Sequence, residues 1–273
     1  MRRVLVWLPL VCSLACGGKE APQNSPTSPS PPQSQPTVSS LTIGGATSFR
    51  TGQSRTFSAE AQMSNGSSQP AANVAWSSSN ESIATIDASG LVTALAHGSA
   101  TIAAASQGQT AQVPVRVWQN YQGRWTGTYV IRVCTNTGWF AERPAWCSIF
   151  PRGSRLGFVL TLTQNDGAAS GTLQLGNLVG AMSGGIFDNG RFVGTGTPKL
   201  VIDGVEFTSH VGTFSVLAKG ETLSGNLVVN TTAAGLSGNG YWEADLENVT
   251  RSLDGVDTRA FDAAMHELMA GKR

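Results

Sequence analysis

Histidine is scarce in this sequence. There are 3 in 273 residues, His97, His210 and His266, in three separate stretches. No H-x-H or H-E-x-x-H spacing occurs, so the usual histidine-built metal centres are not encoded. A G-x-S-x-G nucleophile elbow and a glycine-rich phosphate loop are missing too. Charged residues make up 13% and nearly balance, at a formal +1, which excludes a broad basic surface for nucleic acid. No apolar run reaches the roughly 20 residues that a membrane-spanning helix needs. Lys and Glu are few while Val, Thr and Gly abound. That composition favours strands and turns over helices.

What is present begins at the N-terminus, MRRVLVWLPLVCSLACGG. Arg2 and Arg3 precede an apolar stretch from Val4 to Ala15, interrupted by Pro9 and Ser13, the layout of a signal peptide over residues 1–15. Ser13-Leu14-Ala15-Cys16 resembles a bacterial lipobox, which implies lipidation of Cys16 and a membrane partner through that anchor. Ser13 stands where the lipobox prefers an aliphatic residue, and Ser-x-Ala also suits an ordinary signal peptidase, which would release a soluble protein. Either route exports the chain. Gly17 after the cysteine implies no inner-membrane retention, so the expected location is the cell envelope, at the outer membrane or cell surface. Residues 16–37 are rich in Pro, Ser and Gln and too poor in apolar groups to fold, and read as a tether.

Export determines what the cysteines do. Cys12 lies within the signal and Cys16 is the lipidation candidate. Cys134 and Cys147 remain as an even pair in an oxidising compartment, where a disulfide is the default. They do not form a C-x-x-C redox motif, and the intervening residues contain no histidine to complete a metal site.

Residues 38–117 alternate between strand-length apolar runs and turn signals, the pattern of a β-sandwich. Trp76 is the expected large central side chain. The stretch VAWSSSNESIATIDASGLVTALAHGSATIAA carries Trp76 to Asn80, Ile83-Ala84-Thr85-Ile86-Asp87, Gly90-Leu91-Val92-Thr93-Ala94 and Gly98-Ser99-Ala100-Thr101-Ile102. With these it resembles the bacterial immunoglobulin-like domain, group 2. The resemblance implies a surface spacer or adhesive module and brings no catalytic residues.

Residues 119–250 contain about eight or nine further strand signals. Turn sequences at Asn165-Asp166-Gly167, Asp188-Asn189-Gly190 and Lys219-Gly220-Glu221 separate some of them. An antiparallel meander closing into a β-barrel follows, loosely similar to lipocalin-like and avidin-like barrels. Trp125, Gly127, Tyr129, Ile131 and Val133 share one face of its first strand by period-two spacing. Residues 251–273 form a C-terminal tail in which Phe261, Met265, Leu268 and Met269 recur at helical spacing, with Asp257 as the expected N-cap and Gly271 as the stop. The fold class is therefore all-β: an immunoglobulin-like β-sandwich, then an antiparallel meander β-barrel, then a short C-terminal helix.

Chemistry is sparse. Glu243, Asp245 and Glu247 line one face of a strand, and a row along one strand suits solvent better than the facing carboxylates of a glycosidase. No catalytic residue, metal or cofactor is expected. The distinctive segment is Cys134 to Cys147, CTNTGWFAERPAWC, placed at one barrel rim. Its candidate ligand-binding residues are Trp139, Phe140, Arg143 and Trp146. Either the rings fold inward and plug the barrel mouth, or they face outward as preorganised anchors. The partners to expect are a protein, a glycan or a small apolar ligand. The leading functional reading is a non-enzymatic, lipid-anchored envelope protein presenting the barrel. A carrier of a small apolar ligand is the alternative, and a hydrolase with a loop-built site is a third reading.

Overall fold

A computed structural model of the protein describes residues 34–142, 144–252 and 258–270. The chain divides into two compact units, Met1–Pro36 and Thr37–Arg273. In the first, residues 34–36 are described and carry no regular structure. The signal peptide, Cys16 and Arg143 lie outside the described residues.

The second unit opens with ten strands: β1 Val38–Gly44, β2 Ser48–Arg50, β3 Ser54–Thr56, β4 Ser58–Met63, β5 Ser68–Pro70, β6 Ala75–Ser78, β7 Ala84–Ile86, β8 Leu91–Ala94, β9 Gly98–Ser106 and β10 Gln109–Trp118. They form three small sheets, β1-β4-β5, β2-β10-β9-β6 and β3-β8-β7. Between them Phe49 stacks on Phe57 at 6.2 Å, among the buried Val92, Ile102 and Val117. Trp76 is not the centre of this core. It is half-buried at the seam between two apolar clusters, and the stacked Phe49–Phe57 pair takes the central place. The Asp87 carboxylate accepts from the Ser89 and Leu91 amides at 2.8 and 3.0 Å and fixes the turn before β8. A bond from the Ser89 hydroxyl, together with these two, holds its carboxyl below the usual carboxylate range.

Nine strands build the barrel: β11 Gly123–Asn136, β12 Arg155–Asn165, β13 Ala168–Leu175, β14 Leu178–Ile186, β15 Phe192–Gly196, β16 Lys199–Ile202, β17 Val205–Lys219, β18 Thr222–Ala233 and β19 Gly240–Arg251. Strands β15 and β16 lie in succession between β14 and β17 and act as one interrupted strand. The break falls at Pro198, which has no N–H to give to the ladder. Each strand pairs antiparallel with the next, and β19 returns to β11, so the sheet closes with eight strands. Closure requires sharp bending. A Cβ at Gly171 would lie 1.9 Å from the Thr161 carbonyl oxygen, so only glycine allows the neighbouring strand to fold across at that point.

The alternation along β11 holds for Trp125, Tyr129 and Ile131, all fully buried. It fails at Val133. A β-bulge between Ile131 and Val133 shifts the register against β19, so Val133 turns outward at 40% exposure and Cys134 packs toward the core. The barrel's far end, opposite the sandwich, carries a 3₁₀ turn at Gly138–Ala141 and the short helix α1 Trp146–Ile149. Helix α2 Arg259–Ala270 buries Phe261, Met265, Leu268 and Met269, as the spacing predicts. The expected cap Asp257 and stop Gly271 lie outside the described residues. Thr258 bonds instead to Asp262, through its carbonyl to the amide at 3.0 Å and through its hydroxyl to the carboxylate at 3.2 Å.

Candidate functional site

The far end is built by the cysteine-bracketed loop. Cys134 and Cys147 form a disulfide, with Cα atoms 5.6 Å apart. Inside the loop Phe140 and Trp146 are buried, and Trp139 is half-buried with its ring 6.2 Å from that of Phe207. The rings run on in contact: Phe140 to Trp146 at 5.4 Å, Trp146 to Phe150 at 4.6 Å, and Phe150 to Phe261 of α2 at 5.6 Å. Trp146 lies flat over Gly240, where a Cβ would come within 2.7 Å of the indole. Backbone bonds from Trp139 to Ser237 and from Thr137 to Asn239, both 2.9 Å, tie the loop to the β18–β19 connection. Trp139, Phe140 and Trp146 are thus brought together, but the buried rings of Phe140 and Trp146 point into the molecule and are not presented to solvent.

The barrel interior differs between its two halves. Toward the sandwich, Trp125, Phe158, Phe192 and Phe214 pack closely, and the Trp125 indole N–H donates to the Tyr121 carbonyl at 2.9 Å. Toward the loop, the Tyr129 and Trp242 rings lie 4.9 Å apart. Here three buried polar atoms have no protein partner: Tyr129 Oη, Trp146 Nε1 and Trp242 Nε1. Burial pushes the Tyr129 phenol well above its ordinary range. The fully buried Ser209 and Thr231 hydroxyls satisfy one another at 2.7 Å. Strand alternation places these groups inside, but their lack of partners depends on the assembled barrel.

On the outer wall the carboxylate row is paired. Asp245 accepts from Arg132 at 2.8 Å, Glu247 from Arg155 at 2.6 Å, and Glu243 from the Tyr241 hydroxyl at 2.6 Å. The bond from Arg155 holds the Glu247 carboxyl below its ordinary range. These are two surface ion pairs and a hydrogen bond from a tyrosine, not a facing acid and base. Among the described residues no group of three or more His, Cys, Asp or Glu side chains could hold a metal ion.

The joint between sandwich and barrel is a built interface. Tyr121 is fully buried and enters the near mouth of the barrel. Its hydroxyl accepts from the Phe192 and Ala218 amides, each at 3.1 Å, and shares its proton between the Gly190 and Val216 carbonyls, each at 2.9 Å. Gln164, 4% exposed, uses both ends of its amide. Its oxygen accepts from the Tyr121 amide at 2.8 Å, and its nitrogen donates to the Gln119 and Asp166 carbonyls at 3.0 and 2.9 Å. Arg116 pairs with Asp188 and lies 4.5 Å over the Trp118 ring. Beside the joint is an open cleft of about 510 Å³, with Thr51, Leu95 and His97 on one side and Lys219, Glu221 and Arg251 on the other. Arg251 and Glu221 largely answer each other across 3.3 Å.

Residues 37–117 match the family model of the bacterial Ig-like domain (group 2). The matched segment covers the sandwich up to Val117 and leaves out only Trp118, the last residue of β10. The joint is therefore made by the end of the Ig-like domain's last strand and the few residues that follow it. No curated protein matches the chain. Among solved structures, domains 5-6 of the S-layer protein SbsC are 17% identical, with 76% of this chain and 98% of that one covered and a TM-score of 0.29. Domains 4-9 of the surface layer protein SbsC are 14% identical over 76% of this chain, which spans 31% of the length of that one, again at 0.29.

Proposed function

We propose that this is an exported, non-catalytic protein of the cell envelope, held to the membrane by lipid on Cys16. In this reading residues 16–37 are the tether, the Ig-like domain is the spacer, and the barrel is the head that meets a partner or contributes to the envelope. The observation that carries it is the locked joint. A spacer positions its head only if the two do not swivel. Tyr121 and Gln164 fasten the segment that follows the Ig-like domain into the barrel mouth through a buried polar network, and Ser48, Arg50 and Arg116 of the Ig-like domain bond directly to Asp166, the Gln164 carbonyl and Asp188 of the barrel. The paired carboxylates on the barrel wall support the non-catalytic part of the reading, because each is occupied by an arginine or a tyrosine. Mass spectrometry of the mature N-terminus tests the anchor. A diacylglyceryl group on Cys16 is the expected result, and an unmodified terminus would overturn it.

A further inference from the structure

The loop half of the barrel holds three donors that the protein does not use. Tyr129 Oη, Trp146 Nε1 and Trp242 Nε1 are buried and unbonded, on side chains that are at most 2% exposed. Leaving a buried donor unmet is costly, and native proteins keep few such groups without a reason. Two are on neighbouring wall strands, β11 and β19, and the third is on the loop that covers them. Tyr129 and Trp242 are in ring contact, and Trp146 lies over Gly240, two residues from Trp242 on β19. The aromatic faces around them are acceptors of the weakest kind and return only part of the cost. At the other end the Trp125 indole is bonded, and the unmet buried donors there are the Nε atoms of Arg116, Arg124 and Arg251; the Arg116 and Arg251 guanidiniums are already paired with Asp188 and Glu221. Among the described residues no charged side chain is buried in the interior.

We propose that the loop half of the barrel takes up a small neutral molecule with a planar apolar body and a carbonyl or ether oxygen, roofed by the Cys134–Cys147 loop. The rings of Tyr129, Trp146, Trp242, Phe140 and Phe207 supply apolar contact, and the three donors supply the hydrogen bonds that such an oxygen accepts. Neutrality follows from the uncharged lining, since a buried ion would find no partner there. Entry requires the loop to lift, which breaks its two backbone bonds to the β18–β19 connection and the two bonds of the Thr137 hydroxyl with Asn239, while the disulfide keeps it attached. The inference rests on the reading of the barrel as a binding head, but it does not depend on the lipid anchor. The N-terminal mass measurement and the binding measurement therefore fail separately.

The test uses the intact, oxidised chain and the fluorescent ketone 6-propionyl-2-dimethylaminonaphthalene. Saturable, blue-shifted emission with quenching of tryptophan fluorescence is expected. Tyr129→Phe and Trp242→Phe should each weaken binding about tenfold, or 1.4 kcal/mol. Binding of N-phenyl-1-naphthylamine, which has no carbonyl, should change little in the same variants. Trp125→Phe should lower stability and leave the ketone's affinity unchanged. Tyr129→Phe removes one oxygen that bonds to nothing in the protein, so it should fold at least as stably as the parent and keeps the test open if Trp242→Phe does not fold. Absence of saturable emission in the parent protein, or equal affinity in parent and both variants, overturns the proposal.

Discussion

Replacing Tyr121 with phenylalanine isolates the joint. The ring stays, so packing against Phe192 at 5.6 Å is kept, and only the hydroxyl goes. That oxygen accepts from two buried amides, Phe192 and Ala218, and donates between two carbonyls. After substitution both amides lose their partner where water has little access. An unmet buried donor costs about 1–3 kcal/mol, so two of them, with some relaxation toward solvent, should cost about 2–4 kcal/mol. For a chain of this size that corresponds to a fall in Tm of roughly 5–15 °C. Thermal unfolding followed by circular dichroism, with near-ultraviolet signals from the barrel tryptophans as a second probe, measures it. If the Ig-like domain and barrel are one cooperative body, both probes should move together. A shift below about 2 °C, or a barrel that unfolds separately from the Ig-like domain in the parent protein, would refute the view of Tyr121 as the bonded keystone of the joint.

Cys134→Ser should destabilise by about 3 kcal/mol, the chain-entropy value for a loop of this length, and a reductant should remove the difference from the parent in melting experiments. Gly171→Ala should cost about 2 kcal/mol or more in denaturant unfolding, because its methyl would meet the Thr161 carbonyl, whereas Gly212→Ala, with open space around it, should stay within about 0.5 kcal/mol. Burial raises the Tyr121 and Tyr129 phenols above their ordinary value of 10.0, so the folded state favours their neutral form. The stability this confers is fully present below about pH 10 and is lost as pH rises through the folded-state values. There are 3 tyrosines, so phenolate absorbance should show the half-buried Tyr241 first, at a pH raised by its bond to Glu243, and the two fully buried ones only with alkaline unfolding. A single step for all three, with the fold intact, would contradict it.

Much of the fold is legible in local sequence because burial imposes a period. The inward set Trp125, Tyr129 and Ile131 follows from alternation along one strand, and the buried face of α2 follows from helical spacing, each needing only neighbours a few positions away. Val133 breaks the pattern because its orientation is set by a bulge against β19, more than a hundred residues later. Trp76 yields the sandwich centre to Phe49 and Phe57 because pairing of the sheets, not side-chain size, decides who meets in the middle. The sequence places the domain boundary between residues 117 and 119, and nothing local marks Tyr121 as part of the joint. Its hydroxyl partners are 69 to 97 positions away. The loop was visible as a disulfide-closed aromatic segment. The direction of its rings was not, because that depends on Gly240 and Phe207 being beneath them.

The two mouths of the barrel are closed by different physics, and the difference bears on what each can do. At the Ig-like end the closing groups are polar and satisfied: every donor and acceptor of the Tyr121 hydroxyl and the Gln164 amide is used. Such a network is stiff, because any displacement exposes several buried bonds at once. At the loop end the closing groups are aromatic rings, held by dispersion, one disulfide and a few polar bonds at the loop's edge, from Trp139 and Thr137 to the β18–β19 connection and from Cys147 to Asn136. Rings can slide over one another with gradual loss of contact, so this end opens at lower cost while its covalent tie limits how far it goes. Amide hydrogen exchange should follow the same division, slowest at Phe192 and Ala218 and fastest across residues 137–142. On the proposed reading a presented binding head needs both, a joint that holds its direction and a roof that lifts at the opposite end.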